Sequence, residues 1–152
     1  MTDNQRRIVT GHDSRGRAVF VADGPTPNVW EAPDGGPVYE LWQHAGTPDN
    51  AGEFVDPVLG HRSFPPPAGG SVLRIVDFAP RSPDDAVHMH RTASLDYCYV
   101  IAGSIVAVLD DAEVTMTAGD VLIQRGTNHG WRNESDAPCK VLFVLVDAEP
   151  LV

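Results

Sequence analysis

The sequence predicts an all-β sandwich or barrel, and three observations support this fold class. Glycine (14) and proline (13) are spread along the 152 residues and divide the chain into short pieces. Short runs rich in apolar and β-branched residues recur between them at fairly regular spacing. No long stretch has the 3.6-residue apolar period of a helix. At this length the chain is most simply one domain.

The first third of the chain predicts three strands. Arg7–Val9 and Ala18–Ala22 flank Asp13–Gly16, whose composition is typical of a hairpin turn. Pro25–Gly36 is predicted as loop. Val38–His44 alternates between two faces, as a strand does.

A long irregular stretch, Gly46–Ser71, follows and is dense in proline and glycine. Irregular stretches of this length in a compact domain are usually functional or mobile. Two interpretations stay open: a surface excursion that covers a barrel mouth, or a linker between an N-terminal arm and a barrel. The expected organisation is an arm with short strands and this loop over residues 1–70, and a barrel core over 71–152, in one structural domain.

The second half predicts a succession of short strands joined by tight turns. Because such joins are too short for a crossover, the neighbouring strands should be antiparallel. The predicted strands are Val72–Phe78, Val87–His90, Asp96–Ala102, Ile105–Leu109, Val114–Thr117, Val121–Gln124, Gly130–Arg132 and Val141–Val146.

Three histidines and one acid in this half form a candidate metal site. On a strand, His88 and His90 would project from the same face, roughly 6.5–7 Å apart. His129 lies beyond further hairpins, and Asp96 begins the next predicted strand. A pair of histidines alone is common on exposed strands, but three imidazoles with a carboxylate suit Mn, Fe, Co, Ni, Cu or Zn rather than Ca or Mg.

The spacing of these residues resembles the two motifs of the cupins. His88-Met89-His90, then Asp96, six residues and Gly103 follow the first motif, which runs H-x-H, E, six residues, G. Gly119 opens the second motif, and His129, three residues and Asn133 close it. The resemblance covers about Val72 to Asp147 and is to the small single-domain cupins of the conserved-barrel type.

The resemblance implies a fold and a function. The fold is a double-stranded β-helix, or jelly roll, around one divalent transition metal (Fe, Mn, Zn, Ni or Co), with N-terminal strands that pair with a second subunit. The function is that of a metal-dependent enzyme acting on a small organic molecule, as a dioxygenase, decarboxylase, dehydratase or isomerase. The alternative is a non-catalytic cupin that binds a small molecule or a metal.

The acid departs from the cupin pattern. Asp96 stands where the motif has Glu, and five residues separate it from His90. Asp96 is therefore either the fourth metal ligand, with the extra residue compensating for its shorter side chain, or a residue that hydrogen-bonds Thr92 or Ser94 in the preceding turn. The P-x-G turn of the second motif is also absent, because Gln124-Arg125-Gly126-Thr127-Asn128 occupies its place.

Strand alternation predicts the rest of the pocket. If Asp96 faces inward, Cys98 and Val100 do so too, while Tyr97, Tyr99 and Ile101 face outward. Cys98 is then a small buried residue or a redox-sensitive neighbour of the metal. The other expected pocket residues are Gln124 and Trp131. Arg125 is either a contact for a substrate anion or a solvated turn residue.

Charge and composition limit the partners. A net charge of −10 argues against nucleic acid or an anionic membrane surface, because both require clustered basic residues. No signal peptide and no apolar run of membrane-spanning length is recognisable. Two cysteines are too few for a disulfide framework, so we expect free thiols and a cytoplasmic protein, with a single Cys98–Cys139 disulfide as the alternative. The expected partners are a small-molecule substrate or ligand and a second copy, in a homodimer.

Overall fold

The computed structural model describes residues 4–33, 36–60 and 62–152, and every regular element in these ranges is a β-strand. The strands are β1 (Arg6–His12), β2 (Ala18–Pro25), β3 (Val29–Glu31), β4 (Pro37–His44), β5 (Ser71–Phe78), β6 (Ser94–Ala102), β7 (Ser104–Val108), β8 (Glu113–Thr117), β9 (Val121–Arg125), β10 (Gly130–Arg132) and β11 (Cys139–Asp147). The described residues contain no helix long and apolar enough to cross a membrane.

The strands form three antiparallel sheets. A six-stranded sheet has the order β3-β4-β5-β11-β6-β9, and a three-stranded sheet has the order β10-β7-β8. β1 and β2 pair only with each other, as a hairpin. The all-β fold class and the antiparallel pairing predicted from the short joins are confirmed. Pairing of the N-terminal strands with a second subunit stays a prediction.

The core lies between the six-stranded and three-stranded sheets. Its buried side chains come from both, including Val76 and Val141 of the large sheet and Ile105 and Met116 of the small one. The tight turn from β6 to β7 requires Gly103, whose φ is +85° and where a Cβ would stand 2.8 Å from the Pro138 carbonyl oxygen. This turn takes the chain directly from the six-stranded sheet into the three-stranded sheet.

The inward and outward residues of β6 alternate as predicted. Asp96 is 5% exposed and Cys98 is fully buried, whereas Tyr97 and Tyr99 are each 44% exposed. The register between β6 and its neighbours is thus fixed by one buried face.

Two elements differ from the predicted ones. β3 lies inside the predicted loop Pro25–Gly36, of which residues 34 and 35 fall outside the described ranges, because its three residues are too few to give a periodic pattern. The predicted strand Val87–His90 is wrong: only His90 forms a bridge, with His129. A strand needs several consecutive backbone pairs, and this segment makes one.

The irregular stretch between β4 and β5 is held against the barrel. Its described residues, 46–60 and 62–70, belong to no strand. Arg74 of β5 donates hydrogen bonds to the carbonyl oxygens of Ser63 (2.7 Å) and Phe64 (3.4 Å). Because β3 and β4 share a sheet with β5, strands on both sides of residue 70 build the same barrel. The division at residue 70 stays a prediction.

Candidate functional site

A cavity of about 220 Å³ opens between the sheets and contains the predicted metal-site residues. His88, His90, Asp96 and His129 line it, together with Arg74. Most of the remaining lining is apolar, so the few polar groups are concentrated in a dry environment. Pockets of this composition are the usual sites of small-molecule binding.

The three histidines lie side by side on one wall. The backbones of His90 and His129 exchange two hydrogen bonds, of 2.8 and 2.9 Å, and their ring centroids are 4.2 Å apart. The rings of His88 and His90 are 5.4 Å apart and stacked. Gly130 permits this packing, because a Cβ there would stand 2.3 Å from Val87 Cγ1 and 3.0 Å from the His88 carbonyl oxygen.

The second nitrogen of two rings is fixed by a backbone carbonyl. His129 Nδ1 lies 2.8 Å from the Thr127 oxygen, and His90 Nδ1 lies 3.2 Å from the His88 oxygen. Since a carbonyl oxygen only accepts, each Nδ1 donates, which leaves Nε2 as the nitrogen available to a metal. Burial also lowers the pKa of His129 to about 4, so that this ring is neutral at physiological pH.

These rings fit the spacing of metal ligands. Two imidazoles bound to one ion at about 2.0–2.1 Å have centroids about 4.5–5.3 Å apart, and the two separations given above lie within about 0.3 Å of this range. Among residues 4–33, 36–60 and 62–152, no three His, Cys, Asp or Glu side chains are already grouped closely enough to enclose an ion. The ring separations are thus close to those of co-ligated imidazoles, and metal ligation by His88, His90 and His129 stays a prediction.

Asp96 is buried beside the histidines and is held by neutral donors. Its Oδ1 accepts a hydrogen bond from Ser94 Oγ (2.6 Å), and its Oδ2 accepts one from Gln124 Nε2 (3.2 Å). Burial raises the pKa of Asp96, against the opposing effects of these two donors, His90 and Arg74. The predicted turn interaction with Ser94 is present, and the role of Asp96 as a metal ligand stays a prediction.

A buried ion pair forms another part of the wall. Arg74 and Glu40 are 3% and 0% exposed, and Arg74 Nη2 lies 3.3 Å from Glu40 Oε1. Trp30 Nε1 donates to the same carboxylate oxygen at 3.1 Å. Burial raises the pKa of Glu40 more than Arg74 and Trp30 lower it. The sequence reasoning missed both residues, although a charged residue flanked by apolar neighbours in each of two strands was the available signal.

Aromatic rings complete the cavity. Trp131 packs edge to face against Phe143 at 5.5 Å and against His129 at 5.9 Å. Phe64, from the irregular stretch, lies 6.3 Å from the His90 ring and covers the opposite side. The predicted pocket residue Trp131 is among the lining residues.

The other predicted pocket residues lie elsewhere. Cys98 and Val100 are fully buried in the core and are not among the described residues that line the cavity, because they sit further along β6. Gln124 is buried and reaches the site through Asp96. Arg125 is exposed and lines a neighbouring groove instead of the cavity. Both cysteines are free thiols, as predicted.

Comparison with known proteins identifies the family. The family pattern described as "Cupin domain" matches residues 74–145. A cupin-domain-containing oxidoreductase, virC, from Hypocrea virens is 34% identical over 155 residues, which are 96% of this chain and 77% of that protein. The chain belongs to the cupin family. Phomopsin biosynthesis cluster protein C′ from Diaporthe leptostromiformis is 37% identical over 95% of this cupin and 79% of its own length.

A solved structure supports the same fold. A putative ethanolamine utilization protein Q from Salmonella typhimurium superposes with a TM-score of 0.53 at 11% identity, covering 95% of this cupin and 98% of that chain. This likeness concerns the fold alone, and the cupin resemblance of the two motifs is confirmed by the family match over residues 74–145.

Proposed function

We propose that this cupin is a metal-dependent oxidoreductase that acts on a small organic molecule. The observation that carries the proposal is the wall of three histidines on one small, largely apolar cavity. Relatives at 34% and 35% identity are named as oxidoreductases, which favours redox chemistry over the decarboxylase, dehydratase and isomerase alternatives.

His88, His90 and His129 would hold a divalent transition metal through their Nε2 atoms. Such an ion supplies Lewis-acid polarisation or redox reactivity when bound. Asp96 supports the assignment, because it is a buried carboxylate whose direct partners are neutral, and a cation on the histidines would offset its charge. Asp96 is either the fourth metal ligand or a residue that stays hydrogen-bonded to Ser94 and Gln124 and fixes their orientation.

The remaining residues would shape the reaction environment. The rings of Trp131, Phe143 and Phe64 exclude water and bind the apolar part of a substrate. The anchoring of Ser63 and Phe64 by Arg74 keeps the cavity covered. The volume of about 220 Å³ limits the enclosed part of the substrate to a few heavy atoms beyond one ring, since drug-sized ligands need about 300 Å³ or more.

Metal analysis of purified variants tests the proposal. Wild-type protein should carry about one transition-metal ion per chain, whereas His90→Ala should carry less than about a tenth of that. His12→Ala is the matched control, because His12 is an exposed histidine at the end of β1. Equal metal content in wild type and His90→Ala would refute histidine ligation at this wall.

A cupin that binds a metal or a small molecule without turnover is the second candidate. The engagement of both Asp96 oxygens by Ser94 and Gln124 favours it, since this acid is already satisfied. Release of a bound small molecule unaltered, after incubation of the metal-loaded protein with oxygen, would support this candidate over the enzyme.

We also propose a homodimer. The outer face of β6 and β9 exposes a continuous apolar strip, in which Tyr97 pairs across the strands with Ile123 and Tyr99 with Val121. Uncharged strips of this kind are self-complementary and mark interfaces. Light scattering should give twice the chain mass, and Tyr99→Glu should give the chain mass. A wild-type monomer at about 100 μM would refute the dimer.

A further inference from the structure

A second groove adjoins the histidine cavity and has a different chemistry. Its volume is about 530 Å³, and it runs along the start of β6, the end of β9 and the C-terminal segment. Arg91 and Thr92 line both the cavity and this groove, so the two spaces share a wall. The cavity and the groove are therefore immediate neighbours.

The groove contains two arginines without an ionic partner. Of the eleven Lys and Arg residues, seven pair with carboxylates in the described part of the chain: Arg6, Arg7, Arg17, Arg74, Arg81, Arg132 and Lys140. Four do not, and two of those four, Arg91 and Arg125, line this one groove.

The other lining residues define what the arginines can bind. Leu95, Pro150 and Leu151 give apolar surface, and Glu149 is the one acid among the described lining residues. The local balance is therefore positive within an acidic protein. Arginine binds carboxylate and phosphate oxygens through paired N–H groups, so an oxyanion is the matching ligand.

We propose that this groove is an oxyanion subsite that binds the charged end of an elongated substrate, while the apolar end of the same molecule occupies the histidine cavity. Arg91 and Arg125 bind the oxyanion, and the substrate crosses between the two spaces beside Thr92, which lines both. The substrate class is an amphipathic organic acid, either a carboxylic acid or a phosphate ester. The proposal rests on the proposed function only in assigning the reacting end to the cavity.

A series of ligands of increasing length tests the subsite. The probes are ω-phenylalkanoates, from benzoate to longer chains, each compared with the matched ω-phenylalkanol by isothermal titration calorimetry. Beyond the length that spans the passage, the acid should bind about tenfold more tightly than the alcohol. A tenfold preference corresponds to about 1.4 kcal/mol, which two exposed arginine contacts of ordinary strength can supply together. Added salt should reduce it.

Paired variants locate the preference. Arg91→Gln/Arg125→Gln should bind acid and alcohol alike, and Arg15→Gln should behave as wild type. Arg15 is the matched control, because it is also exposed and unpaired in the described chain but lies in the β1–β2 turn. A preference that survives in the double variant, or that is largest for benzoate, would overturn the proposal and place the anion inside the cavity, beside Arg74.

Two further arms separate the remaining questions. The ω-phenylalkyl phosphates identify the source of the oxyanion: tighter binding than the carboxylates assigns a phosphate ester, and weaker binding assigns a carboxylic acid. The same titration on His90→Ala separates the subsite from the metal site. Loss of metal with an unchanged acid preference would support the groove as a subsite that does not depend on the metal.

Discussion

Two buried carboxyl groups near the cavity, those of Glu40 and Asp96, differ in the charge of their hydrogen-bond partners. Glu40 is paired with a fixed cation, Arg74, and with the indole of Trp30. Asp96 has only neutral direct donors, Ser94 and Gln124. Burial raises the pKa of both groups. Glu40 is therefore paired in charge, although Glu40 Oε2 and Arg74 Nε have no hydrogen-bond partner among the described residues. Asp96 instead has both oxygens hydrogen-bonded and lies beside the histidines without an ionic partner among the described residues.

The largest expected effect is on Glu40. Glu40→Gln leaves the Arg74 guanidinium buried without a counter-charge, so the free energy of unfolding should fall by about 3–5 kcal/mol. Urea denaturation measures it. Glu40→Leu/Arg74→Met removes both charges and should recover most of this loss. If Glu40→Gln were as stable as wild type, the pair would contribute little to the fold.

The next effect concerns His129 in acid. Its pKa is lowered to about 4 in the folded state, so between about pH 6.5 and 4 the unfolded chain binds more protons and stability is lost as pH falls. From pH 7 to 5, metal-free protein should lose about 2 kcal/mol through this residue. His129→Gln should lack that part of the slope. Parallel slopes for wild type and variant would show that His129 is not buried as described.

Unlike Glu40→Gln, Asp96→Asn should change metal affinity more than the free energy of unfolding. Above its folded pKa, a carboxyl group with a raised pKa is ionised at a cost in stability. Replacing Asp96 with the neutral amide should therefore change the free energy of unfolding of metal-free protein by less than about 1 kcal/mol. Its effect should fall on the metal instead, with affinity reduced about 10–100-fold. Competition with a metal-binding dye measures this. A large stability loss with unchanged metal affinity would show that Asp96, like Glu40, has a structural role.

The smallest effect concerns the thiols. Burial raises the pKa of Cys98, with a further contribution from Asp96, and burial raises the pKa of Cys139 to about 11. Native protein at pH 8 should therefore react with iodoacetamide at under about 1% of the rate of urea-unfolded protein. Mass spectrometry of the alkylated peptides gives both rates. Rapid labelling of Cys98 would instead favour the redox-sensitive interpretation.

The strand pattern was predictable because it is local. Alternation on β6 correctly separated Asp96 from Tyr97, and the motif spacing brought His90 and His129 together. Val87–His90 was wrongly predicted as a strand, because a strand requires consecutive pairing with a partner. Local sequence does not reveal that this segment pairs with its partner only at His90. The Glu40–Arg74 pair and the packing of Phe64 over the cavity depend on contacts between distant segments, for which the sequence carries only the signal of isolated buried charges.

Anomalous diffraction from crystals of the protein grown with Mn²⁺ or Fe²⁺ tests the central claim most directly. The account predicts one strong peak in the cavity, about 2.0–2.2 Å from the Nε2 atoms of His88, His90 and His129, and no such peak in His90→Ala crystals. A cavity without a peak at saturating metal, or a peak bound elsewhere on the barrel, would contradict it.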